Sequence, residues 1–183
     1  YKRSVFDHFA LTPWNIPDQK YMDSVVALAK QGILFLFDLG YFKIKAFARI
    51  ADAGAYFLSR LNHQTTILHT AAERLQPLEL ASFLTTVAGS CIETPIFLGA
   101  KEQVACRLVA SRVPEPIVNE RRRKAKKKAK KKGYTPSKSH LQLLAWNLFI
   151  TNVPHTIWKR EAVFKAYPLR WQIELIFKSW KSY

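Results

Sequence analysis

Cysteine, glycine and acidic side chains are scarce in this sequence of 183 residues, which holds two cysteines, six glycines and 13 Asp and Glu residues. Cys91 and Cys106 stand 15 residues apart. They have neither the C-x-x-C spacing nor the second pair that would complete a zinc site. We therefore interpret them as two reduced thiols on neighbouring strands rather than as a disulfide.

Long hydrophobic runs are also lacking, and none approaches the roughly 20 residues that a membrane-spanning helix needs. The basic start at Lys2 and Arg3 leads into Asp7 and His8 rather than into an apolar stretch, so no signal peptide is indicated. Hydrophobic residues nevertheless make up 49% of the chain and aromatic residues 13%, which supports a packed core. These observations predict a soluble intracellular protein without a membrane partner.

Basic residues outnumber acidic ones by 29 to 13, and their distribution is uneven. Residues 121–132 (RRRKAKKKAKKK) hold ten cations and no acid, and without them the chain still carries +6. Such an excess favours a polyanionic partner, because cations that neutralise phosphates release counterions. The run has no apolar face with which to insert into an anionic membrane. The alternative is a solvated helix face that binds nothing specific.

The first third of the chain alternates between strand-like and helix-like patterns. Residues 33–37 (ILFLF) form a continuous apolar run, which is typical of a central strand buried on both faces. Gly54 marks the end of a helical segment. We predict strands at 4–11, 33–37 and 55–61 and helices at 19–31 and 42–53. This order indicates an α/β sheet.

The pattern changes to short β-like runs from about residue 64 onward. We predict strands at 65–70, 79–86, 94–99, 104–113 and 144–151, a basic helix at 115–132 that ends at Gly133, and a helical tail from 158 that is interrupted at Pro168. The chain then divides into three parts. Residues 1–62 form the first part of the core, 63–153 a β-rich insertion with the basic helix, and 154–183 the C-terminal helix of the core.

The C-terminal helix concentrates polar side chains on one face. Tyr167, Arg170, Glu174 and Lys181 fall within an arc of about 60°, with Lys178 close by, because a helix turns by roughly 100° per residue. A carboxylate that binds a divalent metal, flanked by cations aimed at phosphates, suits phosphoryl transfer. The alternative is an ordinary helix with a Glu–Lys surface pair.

Asp38 directly follows the apolar strand 33–37. Open α/β sheets place functional side chains at this end of a strand, so Asp38 is a second candidate metal ligand. The alternative is that it forms a turn or caps a helix.

Residues 167–182 (YPLRWQIELIFKSWKS) resemble the Y-R-E-K signature of bacterial insertion-sequence DDE transposases that excise DNA through hairpin ends. Residues 38–42 are similar to the surroundings of the second catalytic aspartate of that family, and residues 150–154 to the strand end before its glutamate helix. The resemblance covers nearly the whole chain. It implies an RNase H-like α/β fold, a mixed sheet with flanking helices, interrupted by a β-rich insertion before the last catalytic helix.

The resemblance also implies roles for particular residues. Asp38 and Glu174 would be the catalytic metal ligands for Mg²⁺ or Mn²⁺, in a two-metal site of the complete enzyme. Trp146 would stack on a base flipped out of the helix, although an ordinary core position is the alternative. The residues expected to contact DNA are Tyr167, Arg170, Lys178 and Lys181 on the C-terminal helix, with Lys126, Lys127 and Lys130 in the basic run.

The implied activity is cleavage and strand transfer of DNA in the bacterial cytoplasm at the nucleoid, with transposon ends and target as the DNA partners. The complete enzyme would be a homodimer, and no small-molecule substrate is expected. The first aspartate of the family precedes the second by many tens of residues, whereas Asp7, Asp18 and Asp23 stand too close to Asp38 to fit. We therefore expect the chain to begin downstream of that aspartate and to be inactive alone. The alternatives are a DNA-binding remnant that inhibits a full-length transposase, or another RNase H-like nuclease.

Overall fold

A computed structural model describes residues 17–172 and residue 175 of the chain. The α-helices in this part are α1 (Asp18–Ala27), α2 (Ile44–Asp52), α3 (Leu80–Thr86), α4 (Glu115–Lys131), α5 (Lys138–Leu143) and α6 (Arg160–Ala166). The strands are β1 (Leu34–Phe37), β2 (Tyr56–Arg60), β3 (Ile67–Ala71), β4 (Arg74–Pro77), β5 (Cys91–Leu98), β6 (Val104–Arg112) and β7 (Trp146–Thr151). Short 3-10 helices cover Leu39–Tyr41 and Tyr167–Arg170. None of the helices in the described part is long and apolar enough to cross a membrane.

The seven strands form one mixed sheet in the order β1-β2-β7-β6-β5-β3-β4. β1 and β2 are parallel, and all other neighbours are antiparallel. The predicted α/β class is therefore confirmed. In the parallel pair Phe37 lies opposite Ser59. The next residues, Asp38 and Arg60, consequently stand side by side where the two strands end.

The first face of the sheet is covered by α1 and α2. Ala46, Phe47 and Ile50 of α2 are buried, since their spacing places them on one side of the helix. The Phe47 ring stacks on Phe57 of β2 with 4.6 Å between the ring centroids. Helix α2 ends before Gly54, whose φ of +68° is a conformation that favours glycine, as the sequence predicts.

The second face of the sheet is covered by α6 and the 3-10 helix that follows it. Val163, Ala166 and Tyr167 from these helices pack with Leu58 of β2 and Val109 of β6 in a second buried cluster. Because residues alternate between faces along a strand, Leu58 and Arg60 point to the same side, which is the side of this cluster.

The predicted strands at 33–37, 55–61, 65–70, 94–99, 104–113 and 144–151 are confirmed, as are the helices at 19–31, 42–53 and 115–132. The predicted strand at 79–86 is wrong, because these residues form α3. Glu79 caps that helix by accepting a hydrogen bond from the N–H of Ser82 at 2.9 Å, and Leu80 and Leu84 are buried one turn apart. β4 and α5 were not predicted, and the predicted strand at 4–11 lies outside the described residues.

The strands of residues 63–153 join the same sheet as β1 and β2. β7 pairs with β2 on one side and with β6 on the other, so hydrogen bonds run without a break from the first to the last strand. The division of the chain into a core and an insertion stays a prediction, but no gap in the sheet marks it.

Cys91 on β5 and Cys106 on β6 are both free, which agrees with the predicted pair of reduced thiols on neighbouring strands. Burial raises the pKa of the Cys106 thiol, which keeps it protonated.

Candidate active site at the edge of the sheet

Asp38 occupies the first position after β1, where the chain turns into the 3-10 helix Leu39–Tyr41. Its backbone carbonyl accepts a hydrogen bond from the N–H of Tyr41 at 3.0 Å, but its side chain makes no capping hydrogen bond. The side chain is 52% exposed. The carboxylate therefore does not cap a helix, although the backbone of Asp38 does begin a turn, which was the other part of the alternative for this residue.

Arg170, in the 3-10 helix Tyr167–Arg170, brings a positive charge to Asp38. Its Nη1 lies 4.0 Å from Asp38 Oδ2, and its side chain is only 15% exposed. The guanidinium carbon lies 5.2 Å from the ring centroid of Trp171 and 5.8 Å from that of Tyr167, within the range of cation–π contacts. A separation of 4.0 Å is an ion pair without a close hydrogen bond.

Tyr167 lies beneath Arg170 on the second face of the sheet. It is 6% exposed, and its ring packs on Phe149 of β7 at a centroid distance of 4.9 Å. Burial raises the pKa of its phenol and the Asp38 charge adds to the effect, which outweighs the opposite influence of Arg170 and Arg60. The phenol therefore stays protonated and can donate a hydrogen bond. The structure thus brings Asp38, Tyr167 and Arg170 together, while their predicted roles at a metal and at DNA stay predictions.

The segment 150–154 fastens the end of β7 to β2. The Thr151 hydroxyl donates to the carbonyl of Phe57 at 2.6 Å. The Asn152 side chain accepts from the N–H of Phe57 at 2.7 Å and donates to the carbonyl of Ala55 at 2.9 Å. These bonds extend the pairing of the two strands where their ladder ends, and they fix the direction in which the chain leaves toward α6.

Arg107 holds the connection between β7 and α6 from below. Its guanidinium donates to the carbonyl of Val153 at 2.7 Å, to the carbonyl of Trp158 at 2.6 Å, and to the carboxylate of Glu93. His155 Nδ1 lies 2.9 Å from the same carboxylate. Burial raises the pKa of Glu93, but the bonds from His155 and Arg107 outweigh it and hold the pKa below its ordinary value. We call Arg107, Glu93 and the two carbonyls the Arg107 clamp.

The cations of the basic helix α4 fall into two groups, those that contact other residues and those that are exposed without a partner in the described part of the chain. Arg121 and Arg122 donate to groups of the α5–β7 segment, and Arg123 and Lys124 form ion pairs with Glu120 of the same helix. The other six cations are exposed, and in the described part of the chain they have no ion-pair partner. This lysine cluster consists of Lys126, Lys127, Lys128, Lys130, Lys131 and Lys132.

Trp146 begins β7 and is 5% exposed in the main core, with the guanidinium carbon of Arg112 4.7 Å from its ring centroid. This environment favours the alternative of a core residue over a ring that stacks on a base. Stacking of Trp146 on a flipped base stays a prediction.

A metal site was predicted from Asp38 and Glu174. Among residues 17–172 and 175, no group of three or more His, Cys, Asp and Glu side chains lies together. An exposed carboxylate at the end of a strand nevertheless fits one ligand position of a hard cation such as Mg²⁺ or Mn²⁺. Glu174, Lys178 and Lys181 lie outside the described residues, so their predicted roles stay predictions.

The sequence did not point to Arg60, Asn147 or Arg107 as residues of interest. Arg60 could have been found, because it is a charged residue near the end of the predicted strand 55–61, and Asp38 follows the end of the predicted strand 33–37. Asn147 interrupts an apolar strand on the face opposite to Trp146, and this was a weaker signal.

The chain is similar to known proteins over most of its length. A family profile described as "Transposase DDE domain" matches residues 4–183. The transposase for insertion sequence element IS231D of Bacillus thuringiensis subsp. finitimus is 30% identical over 97% of this chain and 40% of that protein. The transposase for insertion sequence element IS1151 of Clostridium perfringens is 31% identical over 90% of this chain and 38% of that protein. No solved structure matches.

The chain belongs to the transposase DDE domain family. It spans about 40% of the length of the curated relatives that it matches.

Proposed function

We propose that this chain is part of the catalytic domain of an insertion-sequence transposase, with an RNase H-like fold, and that it carries the second aspartate and the glutamate of the catalytic set. The observation that carries the proposal is Asp38, exposed at the end of β1, with Arg170 at 4.0 Å and the buried Tyr167 beside it. Membership of the family and relatives that are named transposases support it.

In this proposal the three side chains have different tasks. Arg170 binds a DNA phosphate through its fork of N–H donors, while Tyr167, whose hydroxyl is buried, supports the guanidinium from beneath with its ring. Asp38, together with Glu174, would hold a divalent cation, Mg²⁺ or Mn²⁺. Such a cation supplies positive charge that stabilises the oxygens of the phosphodiester during in-line attack.

The lysine cluster of α4 would contribute affinity for DNA without sequence information. Its six cations are exposed and unpaired in the described part of the chain, so each can neutralise a phosphate and release a counterion. We propose duplex DNA, including transposon ends and target, as the partner of this surface, and a homodimer in the bacterial cytoplasm as the form of the complete enzyme.

Tyr167 and Arg170 favour a transposase over a general nuclease. A nuclease of RNase H-like fold requires carboxylates that bind metal, but it does not require a buried phenol and a half-enclosed guanidinium beside them. The surroundings of Asp38 therefore support the transposase proposal.

The test uses the variant Asp38→Asn, which removes one negative charge without changing the shape of the side chain. In EDTA the variant should bind duplex DNA about fivefold more tightly than the parent, because a unit charge about 4 Å from a phosphate repels it by roughly 1 kcal/mol in water. In Mg²⁺ at equal ionic strength the order should reverse, since the parent gains affinity through the cation and the variant does not. Fluorescence anisotropy with a labelled duplex measures both.

The matched control is Asp52→Asn, which removes an exposed charge at the end of α2, on the first face of the sheet. This control should show neither the gain in EDTA nor the loss of the Mg²⁺ effect. If the two variants behave alike in both buffers, Asp38 does not lie at a bound phosphate and the proposal is wrong.

A further inference from the structure

A cleft of about 300 Å³ opens on the second face of the sheet, between the 3-10 helix Tyr167–Arg170 and α4. Its polar lining is Arg60, Ser111, Arg121 and Asn147, and Phe149 and Tyr167 form part of its aromatic floor. In the described part of the chain no acidic side chain lines it. The cleft shares Tyr167 with the site at Asp38 and Arg121 with the basic run, but neither of these explains Arg60, Ser111 and Asn147.

Strand register explains why these residues meet. Arg60 lies opposite Phe149, and Asn147, two residues earlier on β7, lies opposite Ser111 of β6. Residues that face each other across paired strands share a face of the sheet, and so do residues two apart on one strand. The cleft therefore begins beside Asp38 and crosses the strand ends toward α4.

Neither arginine of the cleft is paired with an acidic side chain in the described part of the chain. Arg121 donates to Asn147 Oδ1 at 2.7 Å and to the carbonyls of Trp146 and Leu144 at 3.3 and 3.4 Å, all of which are neutral acceptors. Arg60 is exposed, and its side chain makes no hydrogen bond or ion pair within the described residues.

The two guanidinium groups also lie close enough to repel each other. Burial lowers the pKa of Arg121, and the charge of Arg60 lowers it further. Like charges held near each other in a protein are stabilised when an anion lies between them. A structural role in holding α4 against β7 would account for Arg121, but it would not account for Arg60.

We propose that this cleft is a second phosphodiester-binding subsite, in which Arg60 and Arg121 hold one phosphate of the DNA strand that continues from the Asp38 edge toward the lysine cluster. The inference rests on the proposed function and adds the path of the DNA. Three strand spacings separate β1 from β6, about 14 Å in all. A duplex strand places about four phosphates along that distance, at roughly 3.4 Å of axis each.

The experiment measures the affinity for a labelled duplex of random sequence over a range of salt concentrations, in EDTA so that metal plays no part. Arg60→Gln should weaken binding several-fold. The double variant Arg60→Gln/Arg121→Gln should flatten the slope of log K against log salt by about 0.9, the value of one phosphate contact. Arg121→Gln should reduce the affinity less in the Arg60→Gln background than in the parent, because the two arginines share one phosphate.

The matched control is Arg74→Gln, which removes an exposed arginine from β4, at the edge of the sheet opposite to β1. It changes the net charge by the same amount and should hardly alter affinity. Arg60→Gln is the decisive variant, since the Arg60 side chain makes no hydrogen bond or ion pair in the described part of the chain. The thermal midpoint of this variant should therefore equal that of the parent.

The outcomes separate the two proposals. If Arg60→Gln loses no more affinity than Arg74→Gln, the subsite is refuted, while the effects of Asp38→Asn still test the proposed function. If the parent chain does not bind duplex DNA, the proposed function fails and the subsite fails with it.

Discussion

Replacing Arg107 by methionine should destabilise the protein and loosen the helix that leads to Tyr167 and Arg170. Arg107 is 8% exposed, and its guanidinium is the donor to two carbonyls and one carboxylate in the clamp. Methionine has a similar length but donates no hydrogen bond. The variant therefore leaves Glu93 with His155 as its remaining partner and leaves the carbonyls of Val153 and Trp158 without this donor.

The size of the effect follows from burial. Removing one partner of a buried ion pair usually costs about 3–5 kcal/mol, because the other charge stays behind without compensation. The Glu93 side chain is 17% exposed, so water replaces the lost bonds only in part. For a domain of this size the thermal midpoint falls by roughly 2–4 °C for each kcal/mol, so a decrease of about 6–20 °C is expected.

The matched control is Arg49→Met, because Arg49 forms the same kind of ion pair, with Asp23, but 54% and 63% of the two side chains are exposed. Exposed pairs contribute little, so the control should melt close to the parent. Chemical denaturation of both variants compares the free energies of unfolding. A loss of less than about 1 kcal/mol in Arg107→Met would refute the reasoning, since it would show that water solvates the clamp.

Two further measurements distinguish a local role of the clamp from a general loss of stability. Amide exchange in α6 should rise more than exchange in β2, because the clamp holds both ends of the connection before α6. The pKa of Glu93 is lowered in the folded state, so this carboxylate stabilises the fold above about pH 4.5, and the contribution is lost as the pH falls through the folded-state pKa. The deficit of Arg107→Met should shrink over the same acid range.

Two other predictions follow from the charges of the described residues. Replacing all six lysines of the cluster by glutamine should flatten the slope of log K against log salt for random duplex DNA by several units, with little change in the thermal midpoint. An unchanged slope would show that the cluster does not contact DNA. The pKa of His63 is lowered by burial, and further by His140 and Arg60. The unfolded chain therefore binds a proton at His63 more readily than the folded chain does. The thermal midpoint should fall as the pH drops below 6.5, and it should level off below the folded-state pKa. His63→Gln should remove that decrease.

The sequence predicts the site as far as one segment determines it. Asp38 could be placed because an apolar run ends directly before it, and Tyr167 and Arg170 because their spacing puts them on one helical face. That they lie next to Asp38 follows from resemblance and from the general geometry of α/β sheets. The distance between Asp38 and Arg170 required the structure, since it depends on how α6 packs against β1 and β2.

The failures have a physical reason as well. Residues 79–86 (ELASFLTT) read as a strand, because helical periodicity is weak in this part of the sequence. Burial of Leu80 and Leu84 against the core instead favours a helix, and the Glu79 cap gives it a start. Tertiary packing overrode the local preference. Arg107 escaped notice because its partners are up to 51 residues away in sequence, in β5 and in the β7–α6 connection.

Net charge alone is a poor guide to which cations meet DNA. Arg107 is one of the 29 basic residues, but it is buried and paired with Glu93, so it adds no free charge to the surface. Arg123 and Lys124 share the single negative charge of Glu120, which cancels one of their two positive charges. Arg121, in contrast, is fixed by neutral acceptors, which orient its guanidinium without cancelling its charge. A cation of this kind loses less conformational entropy on binding a phosphate than a mobile lysine does. Position and pairing, rather than the count of basic residues, therefore determine which arginines can hold a phosphate in a defined place.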